Sequence, residues 1–187
     1  MRYNTLKDSH MNKLTLPTPD EYAGFYAGYI EYATQRSDVL AALPQQIDEI
    51  KSVLGNLSDE QALFRDAPRE WSIKEVLGHL NDVERVFAYR LLRISRNDPT
   101  PLPGFEQDDY VREAGFDNHP LQDLIQEFEH LRRANILAIN HMSNKSTLRR
   151  GTASGYTVSA RALVYMLVGH VDHHMASLHE KYLPGIK

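Results

Sequence analysis

Hydrophobic positions along this chain recur every three or four residues, the spacing of helices with one buried face. Thr18-Pro19-Asp20-Glu21 opens the first such stretch: Thr18 can cap, Pro19 suits a first helical position and Glu21 completes a capping box. Tyr22, Phe25, Tyr26, Tyr29, Ile30 and Ala33 follow at helical spacing; Gly24 and Gly28 weaken that helix or let another approach closely. Ser37 is the predicted cap of a second helix, with Val39, Leu40, Leu43, Ile47, Ile50, Val53 and Leu54 inward. Pro44 starts or kinks it, and Gly55 stops it. Ser58 to Gln61 forms another capping box, opening a short piece through Phe64. Ser72 and Glu75 box the start of the longest helix, striped by Ile73, Val76, Leu77, Leu80, Val83, Phe87 and Leu91.

Asn97 to Gly104 holds three prolines and reads as a loop, with a short helix after the acidic run from Glu106 to Tyr110. Pro120 starts a further long helix that buries Leu121, Leu124, Ile125, Phe128, Leu131, Ile136 and Leu137. Residues 143–156 are polar, carry two glycines and read as a loop. Thr157 or Ser159 caps the last helix, which Pro184-Gly185 ends. No strand pair and no internal repeat is visible. The pattern predicts an all-α bundle: a flexible arm over residues 1–16, then a single helical-bundle domain over 17–187.

Composition narrows the function. The 187 residues suit one domain with a sizeable core. The net charge of −4 and the lack of a basic run argue against nucleic acid and anionic membranes as partners, and Arg132-Arg133 and Arg149-Arg150 read as solvated surface. With no cysteine, disulfides, thiolate metal sites and a cysteine nucleophile are excluded, and a reducing cytoplasm is compatible. The first residues lack the apolar core of a signal peptide, and no apolar run reaches the length of a membrane span.

The candidate chemistry lies in the last helix. Leu163, Met166, Leu167, His170, His174, Ser177 and Leu178 share one face, so an apolar stripe runs into two imidazoles. Side chains four apart on a helix are neighbours, and two such imidazoles can grip one metal ion. Four of the nine histidines crowd into residues 170–179, and burying imidazoles without partners costs about 1–3 kcal/mol each. The pattern needs a third ligand from elsewhere. His79 is the best candidate, at the edge of the stripe of the longest helix. His10 falls in the arm, His119 in a loop before proline, His130 among charged neighbours, and His141 can point inward. His173, three from His170, is an alternative to His174. Asp82, one turn from His79, can orient a ligand or a bound water, or be a solvated acid; Asp172 should point elsewhere. Three imidazoles leave a coordination position open, and nitrogen donors suit zinc, nickel, copper, cobalt or ferrous iron. The tyrosines of the first helix (Tyr22, Tyr26, Tyr29, Tyr32) read as packing against the bundle or as a dimer face.

These residues carry a resemblance. Trp71-Ser72-Ile73-Lys74-Glu75-Val76-Leu77-Gly78-His79-Leu80 is similar to the W-S-x-x-E-x-x-x-H-L segment of the DinB/YfiT-like family, and Gly169-His170-Val171-Asp172-His173-His174 to its C-terminal H-x-x-H-H. Pro103 to Tyr110 resembles a loop of some members. The resemblance spans about residues 37–182, with the first helix as an extension. It implies a four-helix bundle with one long crossover, an extra N-terminal helix, and a divalent zinc, nickel or iron held by His79, His170 and His174. It also implies a homodimer acting on a small molecule, and the expected compartment is the cytoplasm. The expected activity is S-transfer of a low-molecular-weight thiol to an electrophile. The alternatives are a hydrolase that activates water and a non-catalytic stress-response bundle.

Overall fold

The computed structural model of the protein describes residues 13–186. Most of the expected arm, and His10 with it, lies outside those residues. The arm's described end is held: Leu14 is buried, and the Tyr165 hydroxyl donates to its carbonyl at 3.1 Å.

In chain order the helices are α1 (Ala27–Thr34), α2 (Val39–Leu54), α3 (Ile73–Ser95), α4 (Gln107–Ala114), α5 (Leu121–Asn140) and the single turn α6 (Asn144–Thr147). A hairpin, β1 (Arg150–Ala153) and β2 (Tyr156–Ser159), leads into α7 (Ala160–Ser177). Four long helices, α2, α3, α5 and α7, form the bundle, and α1 lies along α7. Helix α7 is buried without a break from Ala162 to Val171, the mark of a central helix. Among the described residues no helix is long and apolar enough to cross a membrane.

Local chemistry explains most boundaries. The Ser72 hydroxyl accepts from Glu75 N at 3.0 Å while Glu75 Oε2 accepts from Ser72 N at 2.9 Å, a closed capping box that starts α3. Ser58 and Gln61 box reciprocally at 3.0 and 3.1 Å, and the Ser159 hydroxyl caps α7 by accepting from Ala162 N at 3.0 Å. Four expectations need correction. The first helix is broken into 3₁₀ turns at Pro19–Glu21 and Gly24–Tyr26 before α1 begins. Asp38, not Ser37, caps α2, and of the two readings of Pro44 the start is excluded, since the proline lies inside the helix. The 143–156 loop contains α6, β1 and the hairpin turn, because Ser154-Gly155 supplies the two positive-φ residues a tight turn needs. On α5, Leu137 is exposed and Leu131 and Ile136 only partly buried.

The fourth of these shifts reflects a larger error about Arg132. Its side chain is fully buried, not surface. It grips Glu84 through two bonds of 2.8 Å and donates to Gln46 Oε1 at 2.7 Å and to the Leu167 carbonyl at 3.1 Å. This polar layer separates two apolar clusters, one around Leu43, Phe87 and Leu163, the other around Ile50, Leu77 and Phe128.

Gly169 sets how close α1 comes to α7. A Cβ there would sit 1.7 Å from the Tyr29 carbonyl oxygen, so only glycine permits this backbone contact. Gly28, in contrast, faces open space. Gly169→Ala is expected to lower stability by about 1–3 kcal/mol or more, and Gly28→Ala to raise it by about 0.5–1 kcal/mol, as read from urea midpoints. Glu21 is buried and ion-paired to Arg161, which holds its carboxyl well below the usual glutamate range. Between that value and the ordinary 4.5 of a glutamate the unfolded chain binds the extra proton, so this contribution is present above about pH 4.5 and lost on acidification. The urea midpoint should fall between pH 6 and pH 3, by only part of what the pair contributes because the folded carboxyl titrates below that range, and Glu21→Gln should flatten that decline.

Candidate metal centre

The longest helix and the central helix bring three imidazoles together. His79 comes from the first half of α3, and His170 and His174 from successive turns of α7. One ligand nitrogen from each lies within 4.8 Å of the other two, the one such group of three or more side chains among the described residues. The Nε2 atoms of His79 and His170 face each other at 3.0 Å. Ring centroids are 4.9 Å apart for His79–His170, 5.0 Å for His79–His174 and 4.6 Å for His170–His174. A tetrahedral ion with bonds of about 2.0–2.1 Å spaces its nitrogen ligands about 3.3 Å apart, so modest ring rotation suffices to fit one.

Electrostatics favours the neutral, ligating form of each ring. Burial pushes His79 down to about 4 and His174 down to about 3, and holds His170 well below its ordinary value. The other histidines add to each depression, and Arg132 to that of His170, since a nearby positive charge disfavours an imidazolium. At neutral pH the cluster therefore presents lone pairs and not charges. His79 and His170 are buried, while His174 is partly exposed.

Aromatic walls orient the rings. Trp71 lies 4.8 Å from His79 and stacks at 6.5 Å on His174. Tyr29 meets His170 edge-on at 5.1 Å, and Phe87 lies 6.1 Å away. Two clefts flank the cluster. One, of about 590 Å³, has His170, Tyr29, Phe87 and Phe105 in its wall. The other, of about 530 Å³, is lined by Trp71, His173, His174 and Tyr182. Gln107 and Asp108, at the start of α4, line both, so the 103–110 segment noted in the sequence covers the centre.

The remaining candidates separate clearly. His173 packs against Tyr29 and Tyr32 at 5.4 and 5.5 Å and is not in the cluster. Asp172 does point elsewhere, onto Arg36 at 2.5 Å and Gln46 at 2.8 Å. Asp82 is partly buried, which raises its carboxyl; its charged neighbours are Arg85 and Glu127, and no hydrogen bond joins it to the three imidazoles among the described residues. His119, His130 and His141 are exposed. Sequence reasoning missed Tyr29 as a wall of the site; its signal was the glycine at 169, which admits α1. The tyrosine-rich segment is used for packing at Tyr29 and Tyr32.

A helical bundle with an internal group of three neutral imidazoles defines the class of this protein. It belongs to the DinB superfamily, whose model matches residues 42–178. No curated protein matches the chain. Among solved structures it is similar to YfiT from Bacillus subtilis, described as a probable metal-dependent hydrolase with an unusual four-helix bundle topology. That likeness has a TM-score of 0.66 at 14% identity over 92% of this chain and 94% of that one. It is also similar to the mycothiol-dependent maleylpyruvate isomerase, with a TM-score of 0.58 at 13% identity over 87% of this chain and 64% of that one. At these identities both likenesses speak to the fold.

If the three rings hold one ion, His79→Ala should weaken zinc binding by at least about 100-fold in equilibrium dialysis, whereas His173→Ala should leave it within about threefold.

Proposed function

We propose that the protein is a metal-dependent enzyme in which His79, His170 and His174 hold one divalent transition metal and a small thiol is transferred to an electrophile. The observation that carries this reading is the convergence of three neutral imidazoles, two of them buried, at the junction of two clefts. The donor set fits zinc, nickel or ferrous iron, and three protein ligands leave room for a fourth, exchangeable one. When bound, such an ion supplies Lewis acidity that ionises a coordinated thiol near neutral pH.

The chain's own residues do the rest. It contains no cysteine, so the sulfur comes from a cosubstrate. Trp71, Tyr29 and Phe87 pack against the imidazoles and hold them in place. Burial raises the Tyr29 hydroxyl above its ordinary value. The two clefts let a thiol and an electrophile approach from different sides. In the transfer the thiol S–H bond breaks and its proton passes to solvent, a carbon–sulfur bond forms at the electrophile, and the bond broken there leaves its electron pair on the leaving group, chloride in the case of monochlorobimane.

Hydrolysis is the second reading, favoured by one observation: Asp108 lines both clefts and offers a carboxylate to deprotonate water. The description of YfiT points the same way.

Zinc- or nickel-loaded protein should consume 2-mercaptoethanol with monochlorobimane above the uncatalysed rate. Chelation or His79→Ala should lower that excess by at least about 100-fold. A rate indifferent to metal and to His79 would sink the mechanism, and ester turnover without thiol, lost in Asp108→Asn, would place hydrolysis first.

A further inference from the structure

The cavity beside His170 holds a second arrangement, built on Arg90. This α3 side chain is 2% exposed and makes no ion pair among the described residues. Its guanidinium lies 5.8 Å from the Phe105 ring centroid and donates to the Pro103 carbonyl at 2.9 Å, to Ser154 Oγ at 2.9 Å and to Tyr26 Oη at 3.4 Å. Ser154, Tyr26 and Phe105 all line the cavity that contains His170. Arginine has only donors. Both hydroxyl oxygens therefore accept from Arg90, which leaves their own hydrogens free to donate into the cavity. A buried cation with no carboxylate partner stands behind two polarised O–H groups, an arrangement that is costly unless an anion completes it.

The backbone at Ser154 supports this independently. Ser154 and Gly155 have φ of 53° and 82°, forming the two-residue turn between the paired Ala153 and Tyr156. Such turns favour glycine, asparagine or aspartate at both central positions. A serine there sits in a strained conformation that glycine would adopt freely, and strain of this kind gathers at ligand-binding positions.

We propose that this corner is a carboxylate-binding subsite. Ser154 Oγ–H and Tyr26 Oη–H, backed by Arg90, take the carboxylate of a small substrate whose apolar part lies among Tyr29, Phe87 and Phe105. The inference rests on the proposed function, because it names the substrate class of the same centre: a small organic acid. Glu106 and Asp108 also line this cavity, but both are exposed, so solvent screens their repulsion.

The test compares 3-phenylpropanoate with its neutral amide, 3-phenylpropanamide, by calorimetry. It uses metal-free protein, so that coordination of the carboxylate to an ion adds nothing and the answer does not depend on catalysis. The acid should bind about tenfold tighter or more, the scale of a charge-assisted hydrogen bond. Ser154→Gly should remove most of that preference while keeping or raising the melting temperature, since glycine relieves the turn. A purely structural serine would lose no preference. Arg90→Met should abolish the preference as well, and where that variant fails to fold Ser154→Gly decides. Equal binding of acid and amide, or a preference that survives Ser154→Gly, would overturn the subsite. Metal-loaded protein then identifies the acid. Loss of rate in Ser154→Gly with 3-mercaptopropionate but not with 2-mercaptoethanol assigns the carboxylate to the thiol. Loss with carboxylated but not neutral electrophiles assigns it to the other partner. An inactive centre with the preference intact would sink the proposed function and leave the subsite standing.

Discussion

A guanidinium can be buried in a helical bundle only where its donors are met, and Arg132 imposes that condition on every long helix. Glu84 of α3 supplies the counter-charge, Gln46 of α2 an acceptor, and the Leu167 carbonyl of α7 another. Gln46 in turn donates to the Val168 carbonyl and to Asp172. Two successive carbonyls of α7, just before the turn that carries His170, are therefore held by side chains from other helices. Such a network fixes the rotation and height of α7 more tightly than apolar packing does, since a slip by one residue would leave buried polar atoms unmet.

That constraint converges with a second one on α7. Its neighbour α1 touches it backbone to backbone at Gly169, one residue before the first ligand. The contact brings Tyr29 against His170 and His173. On the opposite side Trp71, just ahead of the Ser72 cap, reaches His79 and His174. Helix packing, capping and the single glycine thus cooperate to place imidazoles from distant parts of the chain within reach of one another.

How much of this was legible in the sequence follows from the range of each interaction. Helices were readable because periodicity and capping boxes are local: Ser72 with Glu75 and Ser58 with Gln61 act across three residues. The convergence of His79, His170 and His174 was readable because each lies on or beside an apolar stripe, which says that its ring faces inward. Arg132 was not, because its charge resembles that of Arg133 beside it, and only the partners on three other helices distinguish a buried cation from a solvated one. The hairpin escaped because its strands are four residues each and polar, and its turn places serine where glycine is expected. The interruption of the first helix escaped because its apolar spacing continues across Gly24, while the backbone follows 3₁₀ turns.

Helix α1 lies outside residues 42–178, the part that matches the superfamily model. Tyr29 on this helix, and Tyr26 immediately before it, nevertheless form a wall of the cavity at His170. The part of the chain that the superfamily model matches carries the imidazoles, while residues ahead of it help shape the space in front of them. Substitutions at Tyr26 or Tyr29 would therefore reshape that space without replacing any of the three imidazoles.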